Sequence, residues 1–119
     1  MKSFFNSFLF AINGIKLCFL QRNFKIHFVC SIIAIIVGFI LNINLKEWCI
    51  IWICIGLVIS LEMINTAIEQ LVNLIEPNYN SKAGAIKDVA AGAVLVSSVI
   101  SAIIGVMIFG KYILDLLFY

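Results

Sequence analysis

The apolar residues of this sequence fall into three long blocks, at about 24–41, 48–75 and 89–118. A helix rises about 1.5 Å per residue, so about 20 apolar residues cross a hydrocarbon core of about 30 Å. Each block is therefore long enough, or nearly so, to cross the membrane as a helix. Pro77, the single proline, lies between the second and the third block. The pattern predicts one all-α membrane domain, residues 1–119, with three transmembrane helices.

The segment at about 3–20 has a different pattern, because charged and polar residues interrupt its apolar ones. A period of three and four residues gives a helix one apolar face, which suits a helix lying in the membrane surface. The alternative is a short, frayed leader to the first span. The segment lacks the continuous apolar core of a signal peptide, so we expect it to stay in the mature protein. The apolar residues with this period are Phe4, Phe8, Ile12, Ile15 and Phe19.

Composition and charge support the membrane assignment. Hydrophobic residues make up 64% of the chain and charged residues 12%, which is outside the range of soluble globular proteins. The net charge is only +2 and the sequence contains no run of basic residues, so no nucleic-acid partner is expected. The four cysteines include no Cys-x-x-Cys pair, which argues against metal or redox chemistry at the thiols.

The basic residues lie mainly before the first span and between the second and third spans, whereas only Lys46 lies between the first two. The positive-inside rule then predicts that the N-terminus and the loop at 76–88 are cytoplasmic. The loop at 42–47 and the C-terminus would face outward. Trp48 and Trp52 would belong to the outer aromatic belt.

A stripe of polar residues follows the inner half of the second block. Counted from Trp48, Glu62 lies about 21 Å along the axis and Glu69 about 31 Å, so Glu62 is inside the hydrocarbon and Glu69 is at its inner edge. Carboxylates in a span usually face the bundle interior and mark a function, such as that of a general base or a proton carrier. The alternative is a protonated Glu62 that only holds helices together. The stripe residues are three, four or seven positions apart: Glu62, Asn65, Thr66, Glu69 and Asn73.

A second polar pair, Lys87 and Asp88, is predicted to open the third transmembrane helix. The lysine and the positive helix end would attract phosphate, and the aspartate would position groups around it. Taken alone, the pair fits better an aspartate that caps the helix beside a lysine that reaches the interface. Gly84, Asp88 and Gly92 share one face, which predicts close approach by a neighbouring helix, with the polar stripe of the second transmembrane helix as the candidate. His27, the only histidine, is expected to be an interfacial residue rather than a ligand.

Three strings carry a resemblance to a known family. Glu-Met-Ile-Asn-Thr-Ala-Ile-Glu stands at 62–69, Lys-Asp-Val-Ala-Ala-Gly-Ala-Val at 87–94, and Arg-Asn-Phe-Lys-Ile-His at 22–27. With them the chain resembles the prokaryotic diacylglycerol kinase and undecaprenol kinase family over nearly its whole length. The Gly-rich phosphate loops of soluble nucleotide enzymes are absent.

The resemblance implies a homotrimer in a bacterial inner membrane that transfers the γ-phosphoryl group of ATP to a lipid alcohol, with Mg²⁺ as cofactor. Its active sites would be shared between subunits near the cytoplasmic face. By matched motif positions, Glu62 would be the general base and Asn65 would help to order the catalytic site. Glu62 and Ala91 would contact the lipid. Glu69 would hold magnesium and also contact ATP. The other residues that would contact ATP are Asn78, Tyr79, Asn80, Lys87 and Asp88.

Two positions depart from the family pattern. Gln21 stands where the family usually has a glutamate that is a second metal ligand, and Asn73 stands where it usually has an aspartate. Neutral amides attract a divalent cation less than carboxylates do. An inactive relative therefore remains an alternative, as does a proton-coupled transporter in which Glu62 gains and loses a proton. Diacylglycerol and undecaprenol both present a primary hydroxyl, and the strings read slightly closer to the undecaprenol branch.

Overall fold

A computed structural model describes residues 1–119 and is helical throughout, without strands. Three of its helices are long and apolar enough to cross a membrane, namely α2, α3 and α4. This confirms the predicted all-α membrane fold, and the first segment is helical rather than frayed. The helices are α1 (Lys2–Cys18), α2 (Arg22–Leu41), α3 (Leu45–Ile75) and α4 (Ser81–Phe118).

The turn between α2 and α3 is short because two asparagines supply its special geometry. Asn42 ends α2 in the left-handed region, with φ 53°, a conformation that asparagine tolerates better than most residues. Asn44 then caps α3: its side chain accepts a hydrogen bond from the Glu47 backbone N–H at 2.9 Å, while Glu47 Oε1 accepts one from the Asn44 N–H at 3.2 Å. This reciprocal capping box satisfies two free backbone donors and fixes the start of α3.

The same end of the molecule is held by polar contacts between α3 and α4. Glu47 is buried. Its Oε2 lies 3.0 Å from the Lys111 ammonium group, and its Oε1 accepts a hydrogen bond from the Tyr112 hydroxyl. Beside them α2 and α3 approach closely, because a Cβ added at Gly38 would lie 2.7 Å from Cη2 of Trp48. A larger residue at this crossing would force the Trp48 ring to shift.

At the opposite end, α3 stops before Pro77 and α4 begins almost at once. The Asn80 side chain accepts hydrogen bonds from the backbone N–H groups of Lys82 and Ala83, at 2.9 and 3.3 Å, and so caps α4. The prediction that Lys87 and Asp88 open this helix is wrong. They lie in its second turn, because the helix begins at Ser81. The apolar pattern marks only where the helix enters the hydrocarbon, and the polar residues before that point are helical too.

The small-residue face of α4 is the second point of difference. Nothing lies within 4 Å of a Cβ added at Gly84 or at Gly92. The predicted close approach by α3 is therefore wrong within one chain. α3 still packs along α4, and to a smaller extent along α2, and the buried residues of α4 are others, namely Val94, Ser97 and Ile108.

Candidate active site

The polar stripe of α3 begins in the packed interior of the helix bundle. Glu62, Asn65 and Thr66 are 3%, 5% and 6% exposed, whereas Glu69 is half-buried and Asn73 is exposed. The Thr66 hydroxyl donates to the Glu62 backbone carbonyl at 3.0 Å, so it does not bind the carboxylate. The stripe thus leads from an enclosed carboxylate to an open, polar end of the same helix.

The Glu62 carboxylate faces α2 across a short gap. Its Oε2 lies 3.8 Å from Nε2 of His27, and the two side chains are 4% and 22% exposed. The sequence predicts His27 to be only an interfacial residue, and it does not predict this contact with Glu62. No pattern in the sequence pairs two residues on different helices, so only the packing of α2 against α3 reveals this contact.

The end of α1 packs against α3 near this carboxylate. Cys18 is the one buried residue of α1. Burial raises the pKa of the Cys18 thiol, and the negative charge of Glu62 raises it further. α1 is thereby joined to the other helices at the level of Glu62, although nothing in the pattern of cysteines had indicated a role for this residue.

Asn65 and Glu69 provide oxygen atoms that suit a hard divalent cation. Asn65 Nδ2 donates to Glu69 Oε1 at 3.4 Å, which leaves Asn65 Oδ1 buried without a hydrogen-bond partner. A free amide oxygen beside a carboxylate fits Mg²⁺, which prefers oxygen ligands and usually keeps waters and substrate phosphates as the others. One chain gathers no group of three His, Cys, Asp or Glu residues for a metal. Gln21 is half-buried at the start of α2 and makes no capping hydrogen bond.

A small polar cavity lies where α3 ends and α4 begins. The Lys87 ammonium group donates a hydrogen bond to Asn73 Oδ1, which joins the two helices at its edge. The cavity has a volume of about 110 Å³, and the structure brings four of the predicted ATP residues together in its wall. These are Asn78, Tyr79, Asn80 and Lys87.

The other predicted site residues lie elsewhere. Asp88 and Ala91 are exposed on α4 and do not line this cavity, and neither does Glu69. Asn73, which the family pattern associates with the metal, contacts the lysine instead. A larger cleft of about 360 Å³ lies between α2, α3 and α4, and it is mainly apolar, with His27 and Ser98 among its wall residues.

The chain is similar to known proteins over most of its length. The family model described as "Prokaryotic diacylglycerol kinase" matches residues 9–109. The protein named "Undecaprenol kinase" from Bacillus subtilis is 44% identical over 110 residues, which cover 92% of this chain and 89% of that protein. The protein named "Diacylglycerol kinase" from a Synechocystis species is 35% identical over 101 residues, covering 83% of this chain and 58% of that protein.

Proposed function

The chain belongs to the prokaryotic diacylglycerol kinase family and is a lipid kinase, and on this premise we propose that Glu62 takes the proton from the lipid hydroxyl that is phosphorylated. ATP supplies the phosphoryl group, as in other kinases. Membership of a kinase family decides against the proton-coupled transporter.

The burial of Glu62 carries this proposal. It is a carboxylate 3% exposed in a helix long and apolar enough to cross a membrane. A charged group there is costly and is kept where it has a function. A general base at this depth meets the hydroxyl of a lipid whose chains lie in the membrane, and a base placed within hydrogen-bond reach raises a transfer rate by about 10²- to 10⁴-fold.

The remaining groups lie in order along α3 toward the polar cavity. From Glu62 to Asn73 the axis rises by about 16 Å, with Glu69 between them. Glu69 and the free Asn65 Oδ1 would hold Mg²⁺, which when bound neutralises charge on the ATP phosphates. Lys87 would attract the phosphates, while Asn78, Tyr79 and Asn80 would contact the nucleotide from the loop. Asp88 would contact ATP and Ala91 would contact the lipid, in a site to which a second subunit also contributes.

We propose that the preferred lipid is a polyprenol such as undecaprenol, with diacylglycerol as the alternative. The relative named undecaprenol kinase is 44% identical, against 35% for the relative named diacylglycerol kinase. The former is also matched over most of its length. Both lipids offer a primary hydroxyl, so the chemistry at Glu62 is the same for either.

We further propose a homotrimer in a bacterial inner membrane with the N-terminus in the cytoplasm. The distribution of basic residues supports the orientation. The open face at Gly84 and Gly92 and the incomplete ligand set around Glu69 support a site that a second subunit completes. Cross-linking in membranes, scored for a species of three chains, tests the assembly.

A single assay tests the function and its substrate. The purified protein in detergent micelles receives labelled ATP and Mg²⁺ with undecaprenol, with diacylglycerol, or with no lipid. We expect label in the lipid fraction, more with undecaprenol, and none without Mg²⁺. ATP consumption that does not depend on a lipid, or no transfer to either lipid, would contradict the proposal.

A further inference from the structure

The Glu62 carboxylate has one polar neighbour on another transmembrane helix, and that neighbour is His27 of α2. We propose that His27 is a positioning residue for phosphoryl transfer: its Nε2–H holds the Glu62 carboxylate in place and acts through it rather than on the substrate. This inference rests on the proposed function, in which Glu62 is the base.

Elimination of the other donors supports this assignment. The Thr66 hydroxyl is used by the Glu62 backbone carbonyl, and the one hydrogen bond that the Asn65 amide donates goes to Glu69 rather than to Glu62. Cys18 approaches from α1, but a thiol is only a weak donor. A buried carboxylate without a strong donor is unfavourable in a low-dielectric interior, and the imidazole is the group that the structure places within 4 Å of it on a neighbouring helix.

The distance suits a contact that tightens when substrate binds. At 3.8 Å the two atoms are farther apart than in a hydrogen bond, which spans about 2.7–3.2 Å. Catalytic hydrogen bonds are often long in the absence of substrate and shorten in its complex.

The backbone that carries His27 is well anchored. Phe24 lies one turn earlier on the same helix and is 2% exposed. Its ring packs edge-on against Phe19 at 4.9 Å between centroids, and Phe19 makes a similar contact with Phe28 at 5.0 Å. The imidazole therefore starts from a fixed position at the wall of the cleft between α2, α3 and α4.

Two substitutions separate positioning from simple packing. His27→Leu keeps the bulk but removes the donor, whereas His27→Gln keeps an N–H donor. We expect His27→Leu to lower kcat by about 10- to 100-fold, as for other groups that orient a reacting residue, with KM for ATP nearly unchanged. His27→Gln should recover most of the lost rate.

Two outcomes of this comparison would overturn the inference. One is full turnover in His27→Leu. The other is an equal loss in both variants, which would assign His27 to packing. In a Glu62→Asp background the His27→Leu change should cost much less than in the wild type, because residues that act through one another are not additive. Full additivity would also argue against the pair.

A reagent that modifies carboxyl groups gives a reading that does not depend on turnover. Dicyclohexylcarbodiimide reacts with protonated carboxyl groups in membranes, and a carboxylate deprived of its partner takes up a proton. We expect faster labelling of Glu62 in His27→Leu than in the wild type or His27→Gln, by mass spectrometry, and none at this position in Glu62→Gln. Equal labelling rates in the wild type, His27→Leu and His27→Gln would overturn the inference. A wild type without lipid turnover would refute the proposed function, and the labelling would still decide whether His27 holds Glu62.

Discussion

Lys87 donates a hydrogen bond to the Asn73 side-chain oxygen and thereby ties the second turn of α4 to the last turn of α3. Both residues line the polar cavity beside the loop that joins these helices. Because Asn73 is neutral, it holds the ammonium group without cancelling its charge. We therefore infer that the departure from the family pattern at Asn73 affects Lys87, the lysine proposed to meet ATP, more than the metal.

Asn73→Asp should weaken ATP binding. The new carboxylate would pair with Lys87 and compete with the phosphates for it. An exposed ion pair is worth about 1 kcal/mol or less, so KM for ATP should rise by up to about fivefold. The measurement is KM for ATP at fixed free Mg²⁺ and saturating lipid.

The control for this variant is the same change made together with Lys87→Met. Without the lysine, the added carboxylate has no cation to neutralise, so the effect of Asn73→Asp should become much smaller. A lower KM for ATP in Asn73→Asp alone would show instead that this position serves the metal.

Glu62→Gln should reduce lipid phosphorylation by about 10²- to 10⁴-fold, the usual contribution of a general base. The amide has nearly the same shape but cannot take up the proton. Thermal unfolding followed by circular dichroism should be no less cooperative than in the wild type, which separates lost chemistry from lost structure. Turnover at the wild-type rate would remove Glu62 from the mechanism.

Gln21→Glu should lower the Mg²⁺ requirement. It restores the carboxylate that the family resemblance predicts as a second metal ligand, and charged oxygen ligands bind divalent cations more strongly than amides. The Mg²⁺ concentration at half-maximal turnover should fall by about tenfold. Gln21→Met is the matched control, because it keeps the length without an oxygen. The same requirement in all three proteins would place Gln21 outside the metal site.

Alkylation of Cys18 reports on its proximity to Glu62. The reactive form is the thiolate, and burial together with the Glu62 charge raises the pKa of the thiol, so alkylation at a given pH should be slow and should increase as the pH rises. Glu62→Gln removes the charge, lowers this pKa and should speed the reaction. The rate is measured with iodoacetamide at pH 8 in a protein whose other cysteines are alanine; no acceleration would argue against the contact between α1 and α3.

Gly38→Ala should destabilise the protein. The added methyl group would lie 2.7 Å from the Trp48 ring, and overpacking of this kind costs about 1–3 kcal/mol. Gly56→Ala is the matched control, because nothing lies within 4 Å of its Cβ position. Thermal unfolding in micelles should show a lower midpoint for Gly38→Ala only. Equal midpoints would show that the crossing of α2 and α3 is not tight.

The sequence predicted the helices well because each span needs a long apolar run, which is visible without knowing any contact. It placed Glu62 in the interior for the same reason, since a carboxylate in hydrocarbon must face other helices. It failed at the start of α4, where helix continues into polar residues. The start of the helix is marked by Asn80, which caps it. Asn78, Asn80 and Ser81 are all residue types that cap helices, so the sequence alone did not single out Asn80.

Contacts between helices could not be predicted in this way. His27 and Glu62 lie on different helices, and apolar periodicity gives the faces of helices but not which residues oppose each other. The small residues Gly84 and Gly92 misled for the same reason: spacing shows that a close approach is possible, not which helix makes it. The pairing of Lys87 with Asn73 likewise depends on the register of α3 against α4.

The continuous course of α4 from Ser81 to Phe118 makes the chain unusually sensitive to changes in its length. One residue inserted between Asp88 and Val94 would turn everything before it by about 100° around the axis, so Lys87 would swing away from Asn73 while the apolar part stayed seated. Insertions and deletions here are therefore a more severe form of variation than most substitutions. The loop at 76–80 contains no helix, so a change of length there would not rotate one part of α4 against another.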